Sequence, residues 1–120
     1  VWEVLKRHKV NPHPCYRAGW NRCSCAMCIF STPKLFAGIR ELYPEEYNLL
    51  KQDEKILGFT LDNKCDLDTF VGDTPPCVFY GDSQAVRSLL TGKFAADDMY
   101  VKDTWLYPAG AFHGAEGGPC

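Results

Sequence analysis

No stretch of this chain is apolar for long enough to cross a bilayer as a helix, so no membrane span is expected. Excess positive charge is missing too. Thirteen Lys and Arg stand against 15 Asp and Glu, a formal net charge of −2. That balance argues against a domain built to grip a phosphate backbone, and direct contact with nucleic acid is not expected. The start, Val1-Trp2-Glu3-Val4-Leu5-Lys6-Arg7, lacks the apolar core of a secretory signal and reads as an amphipathic helix. It also lacks an initiator Met and begins inside that helix, so a piece of a longer protein is expected. No glycine-rich loop opens a helix in a setting that would cradle phosphates. Turnover of a nucleotide by this chain alone is therefore not expected.

Cysteine, by contrast, is plentiful and unevenly placed. Of seven cysteines, four fall at positions 15, 23, 25 and 28, while Cys65, Cys77 and Cys120 stand apart. An odd, clustered set is a poor disulfide framework, and Cys23 and Cys25 are too close in sequence for an unstrained bridge to each other. The pattern favours a reducing, cytoplasmic setting with metal-bound or redox-active thiols.

Cys25 and Cys28 have the C-x2-C spacing that lets one turn present two thiolates to one ion. Cys15 and Cys23 are the candidate third and fourth ligands, and Cys65 or Cys77 could replace either, since ligands need only converge in space. Both Zn2+ and an iron–sulfur cluster accept four thiolates, so the choice between them stays open. His13 reads either as a ligand or as a loop residue satisfied by hydrogen bonds. Arg17 and Arg22 flank Gly19; an arginine here could hold a phosphate or sulfate bidentately or simply be a solvated loop residue. Tyr16 and Trp20 could stack on a base or pack in the core.

One hundred and twenty residues make a single domain, 1–120. The expected class is mainly α with long loops, α+β at most. A cysteine-rich loop (10–30) precedes a helical part (32–92) and an irregular tail (93–120). The first helix, over 1–9, should bury Trp2, Leu5 and Val4. Thr32-Pro33 is a helix start, and Leu35, Phe36, Ile39 and Leu42 recur at helical spacing. Pro44 opens another helix, with Glu45 and Glu46 in its first turn, Tyr47, Leu50 and Leu57 facing inward, and Gly58 as its stop. Glu45, Glu46, Asp53 and Glu54 read as a solvated face. Asp66 should cap a short helix holding Leu67, Phe70 and Val71. Cys77-Val78-Phe79-Tyr80 reads as a short strand or buried run, and Ser83 as the cap of a helix reaching Thr91. Trp105, Tyr107 and Phe112 are candidates for an aromatic partner surface.

Several of these pieces together carry a family likeness. Val1-Trp2-x-x-Leu5, His13-Pro14-Cys15-Tyr16, Gly19-Trp20-Asn21-Arg22, Ser24-Cys25-Ala26-Met27-Cys28-Ile29-Phe30 and Ile39-Arg40-Glu41-Leu42-Tyr43-Pro44 follow in order. From Trp2 to about Asp73 the chain resembles the C-terminal region of the phosphoadenosine phosphosulfate (PAPS) reductase-like family of adenine-nucleotide α-hydrolases. The resemblance implies a small accessory domain following an N-terminal nucleotide-binding domain, with adenine nucleotide as the small-molecule partner of the whole protein. It implies oxidoreductase or sulfurtransferase chemistry there. Arg17, Arg22, Tyr16 and Gly19 would close over the nucleotide or sulfate, and Cys15, Cys23, Cys25 and Cys28 would hold Zn2+ or a [4Fe-4S] cluster, which some relatives carry. The family's Ser-Gly-Gly-x-Asp-Ser phosphate loop and its Glu-Cys-Gly-x-His catalytic motif are both missing from this chain, so no catalytic residue is assigned. A rival expectation is a zinc-stabilised protein-interaction module without catalytic activity.

Overall fold

Pro33 opens helix α2 (Pro33–Leu42), preceded by Thr32 in extended conformation. Proline's fixed φ suits the first helical position, where its missing N–H is not needed. Leu35, Phe36, Ile39 and Leu42 fall on one face and are all buried. A single residue, Tyr43, separates α2 from α3 (Pro44–Leu57). Glu45 and Glu46 lie in the first turn of α3 and Lys55 in its last, in keeping with the helix dipole. Gly58 stops α3 in the left-handed conformation, φ 68°, and its N–H donates to the Glu54 carbonyl. The short α4 (Leu67–Val71) begins where the Asp66 carboxylate accepts from the Thr69 N–H at 2.8 Å. These helices and α1 (Trp2–Arg7) make a mainly α fold with long loops.

This computed structural model describes residues 1–23, 25–76, 90–92, 96–108 and 110–111. Among them there is no strand, only an isolated antiparallel bridge between Val10 and Tyr100. The expected Cys77–Tyr80 run lies outside the described residues, as does the Ser83-capped helix apart from Leu90 and Thr91, which are helical.

α2 packs on both α3 and α4. Phe36, Ile39, Leu42, Leu67 and Val71 are the largest fully buried side chains, each stabilising the fold by about 1.5–3 kcal/mol. Phe36 meets Phe70 edge to face, 6.1 Å between centroids. Ala18 and Trp20, from the cysteine-rich loop, join the same core.

Four expectations fail, each for a local reason. Leu57 is exposed, as are Leu49 and Ile56. α3 has 14 residues against the 10 of α2, so its last turn runs past the helix it packs on. Glu54 is buried, not solvated: its carboxylate accepts from the N–H groups of Leu61 (2.8 Å) and Leu67 (3.0 Å) and so clamps the α3–α4 loop. α1 buries no residue fully, and Val4 faces solvent; Trp2 is half-buried, edge-on to Tyr16 at 5.0 Å. Trp105 is buried and donates its indole N–H to the Val10 carbonyl at 2.8 Å, so it belongs to the scaffold rather than to an exposed surface. Phe112 lies outside the described residues.

Candidate metal centre

Two prolines shape the start of the cysteine-rich loop. Pro14 begins a single 3-10 turn, Pro14–Tyr16, and His13 caps it, its Nδ1 accepting from the Cys15 N–H at 3.2 Å. The Cys15 carbonyl then accepts from the N–H groups of Ala18 and Trp20, both at 3.1 Å. Gly19 makes this reversal possible with φ 96°, a left-handed conformation that a side chain resists. The chain folds back on itself, so that Cys23 returns to the Cys15 side chain.

The result is a group of three donors. One ligand atom each from His13, Cys15 and Cys23 lie within 4.8 Å of one another. A tetrahedral Zn2+ site with these atom types needs donor separations of roughly 3.5–3.8 Å, from Zn–S near 2.3 Å and Zn–N near 2.0–2.1 Å. Closing the group on an ion therefore takes up to about 1.3 Å of approach between donors by the same geometry. His13 and Cys23 are exposed and Cys15 is half-buried, so an ion has a path in from solvent.

Burial here opposes ionisation of Cys15, a cost that a bound ion would have to offset. Partial burial, followed by the neighbouring Cys23 sulfur, pushes the Cys15 thiol up to about 12. Without a metal, Cys15 keeps its proton and shares a hydrogen bond with Cys23. A divalent ion would displace the Cys15 proton, because the thiolate is the ligand. Binding at His13 also has a structural consequence. Occupying Nδ1, or shifting its tautomer so that Nε2 is free, breaks the bond from Cys15 N–H either way.

The remaining sequence candidates are spread around this group. Cys25 is exposed and Cys28 half-buried; neither joins the group of three. Arg22 lies over Cys28, its Nη2 3.9 Å from Sγ. Cys65 sits elsewhere, donating to Asp62 Oδ2 at 3.8 Å. Cys77 and Cys120 lie outside the described residues, and the five described cysteines are free thiols. Arg17 donates to Asn11 Oδ1 at 2.6 Å, and Asn11 in turn donates to the Asp98 carbonyl at 3.1 Å. Arg17 also borders a cleft of about 340 Å³, together with Pro12, Trp105 and Tyr107. Tyr16 packs against Trp2, and Gly19 is buried in the turn.

No protein-family model, curated protein or solved structure matches this chain. The chemistry of the site therefore rests on its own geometry. His13 is the residue that sequence reasoning undervalued. Its signal was the His13-Pro14-Cys15 spacing: a proline between two donors starts a tight turn that places them on one side. No described helix is long and apolar enough to cross a membrane.

Proposed function

We propose that this chain is a metal-binding accessory domain whose ion is held by His13, Cys15 and Cys23. The convergence of those three donor atoms within 4.8 Å carries the reading. One imidazole and two thiolates suit Zn2+ best among common ions, because thiolate and imidazole are its preferred partners. The fuller reading is that of a C-terminal domain in a PAPS reductase-like protein. There it would close over an adenine nucleotide held by an N-terminal domain, in reductive or sulfur-transfer chemistry. The ordered motifs from Val1 to Pro44 support it, as does the cleft that Arg17 borders. The rival, a zinc-stabilised interaction module, draws support from Phe30, Ile56 and Phe59, which are each more than 70% exposed.

Elemental analysis after anaerobic purification tests the metal assignment. About one ion per chain is expected, retained by Cys25→Ser and Cys28→Ser and lost from Cys15→Ser and Cys23→Ser. Retention by the last two variants would move the centre to the C-x2-C pair. In a chain that carries the nucleotide domain, Arg22→Ala should weaken adenine-nucleotide binding roughly tenfold, the worth of one charge-assisted hydrogen bond. Unchanged binding there would favour the interaction module.

A further inference from the structure

Cys15 and Cys23 stand in a relation that metal binding does not require: they touch each other. Their Sγ atoms lie within 4.8 Å, and the two side chains share a hydrogen bond. Seven residues separate them, enough chain to close a loop without the strain that bars Cys23 from pairing with Cys25. That loop is already folded. The Cys15 carbonyl accepts from the N–H groups of Ala18 and Trp20, and Gly19 reverses the chain at φ 96°. The fold itself therefore brings the two ends together, the step whose entropy opposes a disulfide in a flexible chain.

The two thiols differ in access. Cys23 is exposed and Cys15 half-buried. Cys23 lies among bends, outside any helix, so its sulfur can move without breaking regular structure. A disulfide holds its sulfurs about 2.05 Å apart, so the pair must close by at most about 2.8 Å. A rotamer change at an exposed cysteine moves its sulfur by a distance of that order. Cys25 and Cys28 stand outside the group, and Cys65 donates to Asp62.

We propose that Cys15 and Cys23 form a reversible disulfide on exposure to a peroxide, and that oxidant and metal ion compete for these two sulfurs. The competition rests on the metal reading above; the disulfide does not. In the first step the Cys23 thiolate attacks one oxygen of hydrogen peroxide. An S–O bond forms, the O–O bond breaks, and the hydroxide that leaves takes up the proton Cys23 had released, giving water and a sulfenic acid. The Cys15 sulfur then attacks the Cys23 sulfur. The S–S bond forms, the S–O bond breaks, and hydroxide leaves with the Cys15 proton as a second water. The two thiols have lost two electrons and the peroxide has gained them. A dithiol reverses the change by exchange and is itself oxidised to a disulfide. Once joined, neither sulfur is a thiolate, and of the three donors only His13 is left to an ion.

Hydrogen peroxide is the probe, added to the whole chain after reduction and removal of metal. Trypsin, which cleaves after Lys and Arg, leaves Cys15 in peptide 10–17 and Cys23, Cys25 and Cys28 in peptide 23–34. Mass spectrometry after blocking of free thiols should find these two peptides linked, and dithiothreitol should separate them. The link should survive the paired change Cys25→Ser and Cys28→Ser and be lost from Cys23→Ser. It is read first in the unaltered chain, so the test stands even if a variant folds poorly. In urea, where the turn is gone, the preference for this link should vanish. Zn2+ added beforehand should slow linkage, and peroxide added to Zn2+-loaded protein should release the ion in step with it. A native chain that binds Zn2+ yet leaves peptide 10–17 unlinked would overturn the disulfide and leave the metal centre standing. Equal linkage in urea would also overturn it. Linkage in a chain that binds no Zn2+ would uphold the disulfide and overturn both the competition and the metal reading. Bound Zn2+ that leaves the rate of linkage unchanged would overturn the competition and move the ion to other donors.

Discussion

From Pro33 to Val71 the chain buries Leu35, Phe36, Ile39, Leu42, Tyr47, Leu67 and Val71 in one cluster. From Val10 to Ser31 it buries little beyond Pro12, Pro14, Ala18, Gly19, Trp20 and Ser31. The first region has its own helices, caps and core. The second has one 3-10 turn and holds its shape by backbone hydrogen bonds and by two residues, Ala18 and Trp20, lodged in the core of the first. The region with the reactive groups thus has the least intrinsic order, as loops carried on a rigid scaffold generally do. The difference separates two kinds of dependence: the helices need apolar area, and the loop needs its backbone bonds and its neighbours.

The largest effect should come from the helical core. Phe36→Ala should cost about 3–5 kcal/mol in urea unfolding, because it leaves a cavity between α2 and α4. A loss under 1 kcal/mol would mean that the core is not the main source of stability. Glu54→Ala should come next, at roughly 3 kcal/mol, since the N–H groups of Leu61 and Leu67 both lose a buried acceptor. Thermal melts of Glu54→Gln should fall between wild type and alanine, because an amide retains one accepting oxygen.

Gly110→Ala probes the other side of the comparison. A Cβ there would lie 1.9 Å from the Trp20 carbonyl oxygen, and backbone on backbone leaves no flexible group to yield. The cysteine-rich loop must shift. Metal affinity should fall roughly tenfold, about 1.4 kcal/mol, with little change in hydrogen exchange over α2 and α3. Equal loss of protection in both regions would show that they are one cooperative unit.

The smallest effect concerns Asp66. The hydrogen bonds from Thr69 hold its carboxyl below the usual carboxylate value. A depressed folded value means that stabilisation is present above the unfolded value and is lost as pH falls through the folded one. Helicity of wild type should therefore decline below about pH 4, where Asp carboxyls begin to protonate. Asp66→Asn should flatten that part of the profile and lower the melting temperature by no more than a few degrees by circular dichroism.

Local signals made the helical region legible in the sequence. Pro33, Pro44, Gly58 and Asp66 each act within one turn of their own position, and each does in the structure what its chemistry predicts, while Thr32 stands at the N-cap of α2 without a side-chain capping bond. Glu54 escaped because its partners, Leu61 and Leu67, are 7 and 13 residues away across a loop with no periodicity. In the cysteine-rich loop the sequence marked the stretch in which a group able to hold a metal converges. It could not choose among donors, because spacing rules weigh neighbours such as Cys25 and Cys28, whereas the group that converges spans His13 to Cys23 around a left-handed glycine. Arg17 shows the same limit: a guanidinium beside a loop gives no hint that Asn11 holds it.

The ties between residues 9–16 and 99–110 carry a consequence in time. Asn11 N–H donates to the Met99 carbonyl, Val101 N–H to that of Lys9, and Gly110 N–H to that of Tyr16, all at 2.8 Å. Trp105 reaches Val10 across 95 positions of sequence. At about 5–20 residues per second, a ribosome would need roughly 5–20 s to supply that distance. For most of that interval His13, Cys15 and Cys23 have already been made, while the segment that braces their loop has not. α2, α3 and α4 need only local contacts and can form meanwhile. The metal centre would then be the last part of the molecule to mature, and for those seconds its thiols depend on the reducing power of their surroundings.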